Sequence, residues 1–524
     1  MIAENGIIKA DNGGPVQLER ACIGLSHCQG DLKMSTDRPN ILVIVPHDQG
    51  IAANCYAGAG QDGLSSLQTP NENWLAEHGT LLKNHFGTAP MCSPARGSLY
   101  TGLYPHQNGV CGLTHRGHEY NAGIKTIAHH LSQHEYITAV INGQHESPHD
   151  KIKELGGYQE TFLPWQKGSG KKEGPETVEW GLGEVARMSK ESGRPFFASI
   201  QTSLVHLPWG MGELMPDPDK GDPLEIPSYL PDCDESAIAL SQFHGAVARL
   251  DRDILGLILR IMREEDMFDT TIICKTTDHG VAHPGSKGLL YDPGCHVGMI
   301  FSGPGIVKGR RLNAYISTID FAKTVCDLCH VPHHPQFSGK SYARFLTRSD
   351  VEDTPVAIRE HVFTENTFSD KYNPIRSVRT PEWRYIRNYV EFPVTDGPPQ
   401  DVQALANYRP WVEHVRGIGW ADAPRPKEEL YQIADDPDCR HNLALENPRH
   451  PVLIELRKVL DDHLERTLDP IRLGPYPLPP MGSVNNAWMF PHLWQDPNAQ
   501  VLFHQNIDGI KPGIKLPWDD EEDT

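Results

Sequence analysis

The stretch NILVIVPHDQG, Asn40–Gly50, runs six residues of almost unbroken apolar chain into an abruptly polar end. The run from Asn40 to Val45 is short, rich in Ile and Val, and lacks alternation. That is the pattern of a strand buried on both faces, as in a parallel sheet. The chain leaves it through Pro46 and at once presents His47 and Asp48. A second stretch, TIICKTTDHG (Thr271–Gly280), repeats the device and ends on Asp278 and His279. Three more runs read the same way: YITAVI (Tyr136–Ile141), FFASIQ (Phe196–Gln201) and VGMIFS (Val297–Ser302).

Helical patterns lie between these strands. Thr69-Pro70-Asn71-Glu72 has the form of a capping box with Pro at the first helical position, and Gly79 ends that helix. Ile124–Gln133, Thr177–Lys190 and Ser236–Glu264 follow. Strands alternating with helices predict an α/β fold, a doubly wound and mainly parallel sheet with helices on both faces. In such sheets ligands bind beyond the carboxyl ends of the strands.

The character of the chain changes near residue 350. RSVRTPEWRYIRNYVEF (Arg376–Phe392) alternates like an antiparallel pair, with Trp383, Tyr385 and Val390 as apolar positions. EELYQIADDPDCRHNLA (Glu428–Ala444) is rich in turn residues, and Pro451–Thr467 reads as a helix. The expected organisation is a loose arm at 1–37, a catalytic domain at 38–350, a smaller α+β domain with an antiparallel sheet at 351–478, and an extended tail at 479–524. The tail's Trp488, Phe490 and Trp494 suit a wrap around its own domain or an interface arm of a homo-oligomer.

Net charge is −20, which disfavours nucleic acid as a partner but leaves room for a small anion at a locally cationic site. No apolar run approaches the roughly 18–20 residues that span a bilayer, so no membrane contact is expected. The N-terminus has no basic segment followed by an apolar core, which points to a cytoplasmic location. Eleven scattered cysteines, an odd number, do not imply disulfides. CDLCH (Cys326–His330) matches a haem-attachment spacing, but it falls inside an amphipathic helical pattern ending before Pro332, and haem is not expected.

Chemistry gathers at the predicted strand ends. Each of Asp48 and Asp278 alone is explained equally well as a cap of a following turn. Together, both after buried strands and both beside a histidine, they suggest one divalent cation held by Asp48, Asp278, His279 and His47. His145 follows YITAVI, His206 follows FFASIQ, and Lys287 stands in PGSKGLLYDPG. Then comes MCSPARGSLYTG, Met91–Gly102. Ser93 reads as an N-cap, Pro94 as the first helical residue and Gly102 as the stop. Cys92 would then sit at the positive end of a short helix, with Arg96 one turn in. That position attracts anions and lowers a thiol pKa. Two readings follow from the residues alone: a cysteine nucleophile, or a buried structural cysteine.

CSPAR followed by GSLYTG resembles the C-x-P-x-R and L-x-T-G signature of the type I, formylglycine-dependent sulfatases. RPNILVIV with Asp48, TPNENWLAEHG, TDHG, YDPG and ELYQIADDPDCRHNLA fall in that family's order, and the resemblance spans about residues 38 to 470. GLYPHQNGVCGL, LLYDPG and YNPIRSVR look most like the sulfamidase branch, the N-sulfoglucosamine sulfohydrolases and their bacterial relatives. The resemblance implies an alkaline-phosphatase-like fold. It implies that a formylglycine-generating enzyme oxidises Cys92 to formylglycine, whose gem-diol attacks sulfur. Asp48, Asp278 and His279 would hold a divalent cation, Ca2+ by family habit. Arg96 would polarise the gem-diol, and His145 would take the proton that expels sulfate from the hemiacetal. His206 and Lys287 would hold sulfate oxygens and protonate the leaving group.

Three positions depart from the family pattern. His47 stands where an aspartate is usual, and can ligate or donate from behind. His279 stands where asparagine is common, which moves preference toward Mn2+ and is also the form seen in phosphonate monoester hydrolases and choline sulfatases. NGQH puts Gly143 where the family has a clamp lysine. His115, Arg116 or His118 in LTHRGHEY can replace it as substrate-binding groups, or can simply face solvent. The implied activity is hydrolysis of an aryl or sugar O-sulfate or of an N-sulfated amino sugar. A phosphonate monoester or phosphodiester hydrolase on the same scaffold is the alternative. An inactive sulfatase-like binding protein is the reading from another class.

Overall fold

The five apolar runs are strands, and they belong to a sheet larger than they alone imply. The computed structural model describes residues 38–166, 170–209, 214–215 and 224–474. The arm at 1–37 and the tail carrying Trp488, Phe490 and Trp494 lie outside the described residues. The strands are β1 (Asn40–Pro46), β2 (Gly79–Phe86), β3 (Ile137–Ile141), β4 (Glu160–Phe162), β5 (Phe196–Thr202), β6 (Thr271–Thr276), β7 (Met299–Ser302) and β8 (Arg310–Ser317). They form one sheet in the order β4-β3-β5-β1-β6-β7-β2-β8. Every neighbouring pair is parallel except those made by β7, which runs against both β6 and β2.

β1 lies at the centre, with Val43 opposite Ser199 on one side and Cys274 on the other. Its apolar side chains feed both faces. Ile41, Val43 and Val45 join one core and Leu42 and Ile44 the other, all essentially unexposed. Burial on both faces is why β1 shows no alternation. The register brings Val45 beside Gln201, so the ends of β1 and β5 open together at one edge of the sheet.

A second sheet, antiparallel throughout, follows in the order β12-β11-β10-β9. Its strands are β9 (Val362–Phe368), β10 (Tyr372–Arg379), β11 (Trp383–Asn388) and β12 (Glu428–Gln432), and the helix Pro451–Arg466 packs on it. RSVRTPEWRYIRN is thus the predicted hairpin, with Val390 beyond its end. Asp292 ties this sheet to the loop after β6. It accepts from Arg379 Nη2 at 3.0 Å and from the fully buried Arg384.

Several local expectations fail for identifiable reasons. The helix Pro70–Glu77 forms, but its capping box does not. Thr69 Oγ1 accepts from Asn54 N at 3.0 Å, and Glu72 is buried against Lys275 instead of reaching back to the cap. Gly79 does end that helix, yet it also begins β2. The Cys92 helix begins at Cys92 itself with Met91 as N-cap, because Ser93 Oγ is engaged with Thr114 N at 3.2 Å. The long pattern Ser236–Glu264 is interrupted by a π-helical segment at Leu250–Leu255. β2, β4, β8, β9 and β12 carry no run that stands out from the sequence.

Asp292 is held well below the ordinary carboxylate value of 3.8: burial opposes this, and Arg379 and Arg384 outweigh it. A depressed folded pKa contributes stability above about pH 4 that is lost as pH falls toward the folded value. Asp292→Ala leaves two buried guanidiniums unpaired and is expected to destabilise the protein by roughly 3–5 kcal/mol. Urea denaturation at pH 7 measures this, and the loss shrinks on acidification.

Candidate active site

The ends of β1 and β6 are locked together before any site chemistry begins. Asp48 has φ 56, a left-handed backbone that is uncommon for a non-glycine residue and clusters at functional sites. Its N–H donates to Asp278 Oδ1 at 3.0 Å, and Gln49 N–H donates to Thr277 Oγ1 at 3.3 Å. Behind them Gln49 Nε2 donates to Glu72 Oε2 at 2.9 Å, while Lys275 Nζ donates to Gln49 Oε1 at 2.7 Å and Glu72 Oε1 at 2.5 Å. All three side chains are buried, so the turn after β1 has little freedom.

On this base Asp48, Cys92, Asp278 and His279 converge, with one possible ligand atom of each lying within 4.8 Å of the others. His279 Nδ1 donates to the Gly280 carbonyl at 2.8 Å, which turns Nε2 toward Cys92 Sγ at 3.2 Å and Asp48 Oδ1 at 3.0 Å. Both carboxylates are buried and both are held well below the ordinary range. For Asp48, burial opposes ionisation and Lys287, His206 and His279 outweigh it. For Asp278 the outweighing groups are His279, Arg96 and His47. Two ionised carboxylates and an imidazole of fixed orientation fit a divalent cation: the oxygens suit Ca2+ or Mg2+, and the nitrogen widens the choice toward Mn2+. His47 stands at the rim, Nδ1 3.2 Å from Asp278 Oδ2, and also groups with Asp48, Cys92 and His206. Burial, then Arg96, lowers its pKa to about 4, leaving a neutral ring.

The thiol of Cys92 is not activated. Burial raises its pKa, and the opposing effects of Lys287 and His279 do not reverse this. Against the expectation of a thiol acidified by its helix end, burial is the largest effect on Cys92, ahead of Lys287 and His279. Cys92 is one of the nine cysteines that are free thiols among the described residues.

Cations ring the cluster. Arg96 is fully buried and donates through Nε and Nη2 to Asp278 Oδ2 at 3.2 and 3.1 Å. Its Nη1 donates to Gln201 Oε1, and Gln201 Nε2 donates to both Glu146 oxygens at 3.1 and 3.0 Å. Lys287 Nζ donates to Asp48 Oδ2 at 2.9 Å and to Asp401 Oδ2 at 3.0 Å, and lies 3.4 Å from His206 Nε2. His206 Nδ1 donates to the Leu207 carbonyl at 2.7 Å, so Nε2 faces the site.

The structure brings His145 to the same rim, its ring centroid 5.4 Å from that of His47. Burial depresses its pKa strongly. His115 stacks on it at 6° with Nδ1 3.2 Å from His145 Nε2, so His115 is a candidate in LTHRGHEY that meets a catalytic candidate. Arg116 pairs with Asp370 at 2.8 Å. His118 turns inward against Phe368, and burial takes its pKa to about 4. At Gly143 a Cβ would stand 3.0 Å from the Gln201 carbonyl, a tight fit for any side chain there.

Three site residues escape the sequence reading. Gln201 ends the run FFASIQ, so the strand-end rule applied to His47 and Asp278 reaches it too. Glu146 follows His145 directly. Asp401 arrives from the short helix Gln400–Gln403 of the C-terminal part, more than a hundred residues from Lys287, and carries no local signal.

A mainly parallel α/β sheet that presents, at its strand ends, two fixed carboxylates ringed by a guanidinium, a lysine and imidazoles defines a hydrolase of oxyanion esters. Residues 39–331 match the family model Sulfatase, and the chain belongs to the sulfatase family. Human N-sulphoglucosamine sulphohydrolase is 27% identical over 463 residues, covering 80% of this chain and 88% of its own. Choline-sulfatase of Rhizobium meliloti is 25% identical over 67% of this chain and 79% of its own. Among solved structures, the phosphonate monoester hydrolase of Agrobacterium radiobacter superposes with TM-score 0.59 at 19% identity, over 82% of this chain and 96% of that one. A protein solved with its substrate D-glucosamine-2-N,6-O-disulfate superposes at 0.60 with 17% identity, over 83% and 99%. These likenesses share the fold described above.

Gln201→Ala removes the acceptor that fixes the far end of Arg96. It is expected to lower kcat on an aryl sulfate about 10- to 100-fold, the equivalent of roughly 1.5–3 kcal/mol for a hydrogen bond to a charged group. An unchanged thermal midpoint shows that the fold survives.

Proposed function

We propose that this protein hydrolyses sulfate monoesters of aryl or sugar alcohols, or the N-sulfate of an amino sugar, using Cys92 after its conversion to formylglycine. The observation that carries the reading is the placement of Cys92. It opens a buried helix beside Asp48 and His279, with Arg96 one turn further on and Lys287 across the cluster.

Asp48, Asp278 and His279 would hold the divalent cation, and His47, beside Asp278, could join them. When bound, the cation supplies Lewis-acid neutralisation of negative charge at the substrate. The chain's own groups do the rest. Arg96, anchored by Asp278 and Gln201, orients the nucleophilic oxygen supplied at position 92. His145 is neutral, as its strongly depressed pKa requires, and accepts the proton that is released there. Lys287 is raised well above its ordinary value: burial works against this, and Asp48 and Asp401 outweigh it. It therefore stays cationic and takes the sulfate oxygens, while His206, when its ring carries a proton on Nε2 as well as on Nδ1, gives the Nε2 proton to the leaving atom and is left neutral. Stabilisation of charge at sulfur by such fixed donors is where most of the rate arises, and each is worth about 10²–10³ in kcat.

Cys92, Pro94 and Arg96, the residues of the maturation motif, are all buried in the folded chain. A formylglycine-generating enzyme must therefore meet this segment before folding closes over it. The second reading, a phosphonate monoester or phosphodiester hydrolase, draws on His279, which stands in the cluster where a plain sulfatase often has asparagine.

Cys92→Ala is expected to abolish turnover of 4-nitrophenyl sulfate with the fold intact; retention of most activity would place the nucleophile elsewhere. Chelation of divalent cations is expected to lower the rate, with recovery on adding Ca2+ or Mn2+. Parallel rates on an aryl sulfate, N-sulfoglucosamine and a phosphonate monoester separate the two readings. Faster turnover of the phosphonate would overturn the first.

A further inference from the structure

A second gathering of histidines stands apart from the strand ends, where the helix Ile127–Gln133 meets the loop after the helix Phe321–Leu328. AHHLSQH (Ala128–His134) and CHVPHHP (Cys329–Pro335) bring it about. His130 and His134 are four residues apart at the end of one helix, hence on one face. Their ring centroids are 4.7 Å apart. His334 comes from the facing loop, its centroid 5.3 Å from that of His130.

His130 is the preset member. It is only 6% exposed. Its Nε2 donates to the Pro332 carbonyl at 2.7 Å, so the proton sits on Nε2 and the lone pair on Nδ1. That Nδ1 is buried and has no hydrogen-bond partner among the described residues. A carbonyl that fixes the tautomer of an imidazole, leaving its other nitrogen bare, is the arrangement that supports a metal-ligating histidine. His334 Nδ1 accepts from Gln336 N at 3.3 Å, which puts the proton of the neutral ring on Nε2, so ligation through Nε2 requires that proton to shift to Nδ1 and the bond from Gln336 to be released. Burial holds both His130 and His334 below their ordinary pKa, so both rings are neutral at pH 7.

We propose that His130, His134 and His334 form a site for a divalent transition ion, of the zinc, copper or nickel type, distinct from the strand-end cluster. Three imidazole nitrogens without a carboxylate suit such borderline ions and disfavour Ca2+ or Mg2+. The rings stand edge to face, at 71° and 73°, and their nitrogens do not yet converge as those of the strand-end groups do. An ion at His130 Nδ1 would require the partly exposed rings of His134 and His334 to turn toward it, His334 giving up its bond from Gln336 N. The bound ion would join helix to loop and stabilise the fold by mass action. The metal-like look of CDLCH is thereby relocated. Cys326 and Cys329 are unexposed in the apolar core, and the ligands lie among the histidines that surround that segment.

The test is calorimetric titration of the full-length protein, its strand-end site first saturated with Ca2+, with ZnCl2. The wild type is compared with the doubly substituted His134→Ala/His334→Ala protein. Both positions are partly exposed, so the variant should keep the unliganded thermal midpoint. The expected result is one equivalent of Zn2+ bound with Kd in the range of about 1–10 μM, a raised thermal midpoint, and at least a tenfold weaker affinity in the variant. Cu2+ in place of Zn2+ should give an electron paramagnetic resonance spectrum with imidazole nitrogen coupling that the variant lacks. Equal affinity in both proteins, or uptake of several equivalents with no break at one, would overturn the proposal.

Discussion

Two carboxylates, Asp48 and Asp278, are buried side by side and remain ionised, and the rest of the structure is arranged around that fact. Desolvation alone would protonate them, and each would repel the other. They stay charged because Arg96, Lys287 and His279 face them and because the Asp48 N–H donates to Asp278. Of these, Arg96 and Lys287 are the groups that the proposed function sets against an incoming sulfate. On that reading the charge that stabilises the resting site would also receive the substrate, and altering Arg96 or Lys287 would disturb the carboxylates they face.

The large sheet supplies the fixed side of this arrangement and the C-terminal part supplies the rim. β1 and β6 deliver the carboxylates, and β5 delivers Gln201, which Glu146 holds in place and which accepts directly from Arg96. The C-terminal part returns over the site with Asp401 on Lys287 and Asp370 on Arg116. Asp292, gripped by Arg379 and Arg384, anchors it a few residues from Lys287. Two of the basic groups near the site thus already carry an acidic partner from the C-terminal part, so its loops bear on how a substrate is received.

What the sequence discloses follows from the kind of signal each element needs. β1, β5 and β6 are legible because strands buried on both faces are nearly all apolar, and their polar ends stand out by contrast. That contrast found Asp48, Asp278, His145 and His206. β2 and β8 sit nearer the sheet edge, carry lysine, asparagine and arginine among their residues, and give no such run. Glu72 was legible as a helix cap but is spent on Lys275, a partner some two hundred residues away that no local rule identifies. Asp401 is invisible for the same reason: its role exists only once the chain has folded back. A helix end suggests an acidified thiol at Cys92, but burial, which one stretch of sequence does not disclose, acts in the opposite direction and is the largest effect on it.

The central claim is that position 92 works as an oxidised residue and not as a thiol. Mass spectrometry of the tryptic peptide ending at Arg96, from protein made together with a formylglycine-generating enzyme, tests it most directly. The account predicts the mass of the aldehyde or its hydrate, in a proportion that tracks specific activity on a sulfate ester from one preparation to another. An unmodified cysteine in fully active enzyme would contradict it.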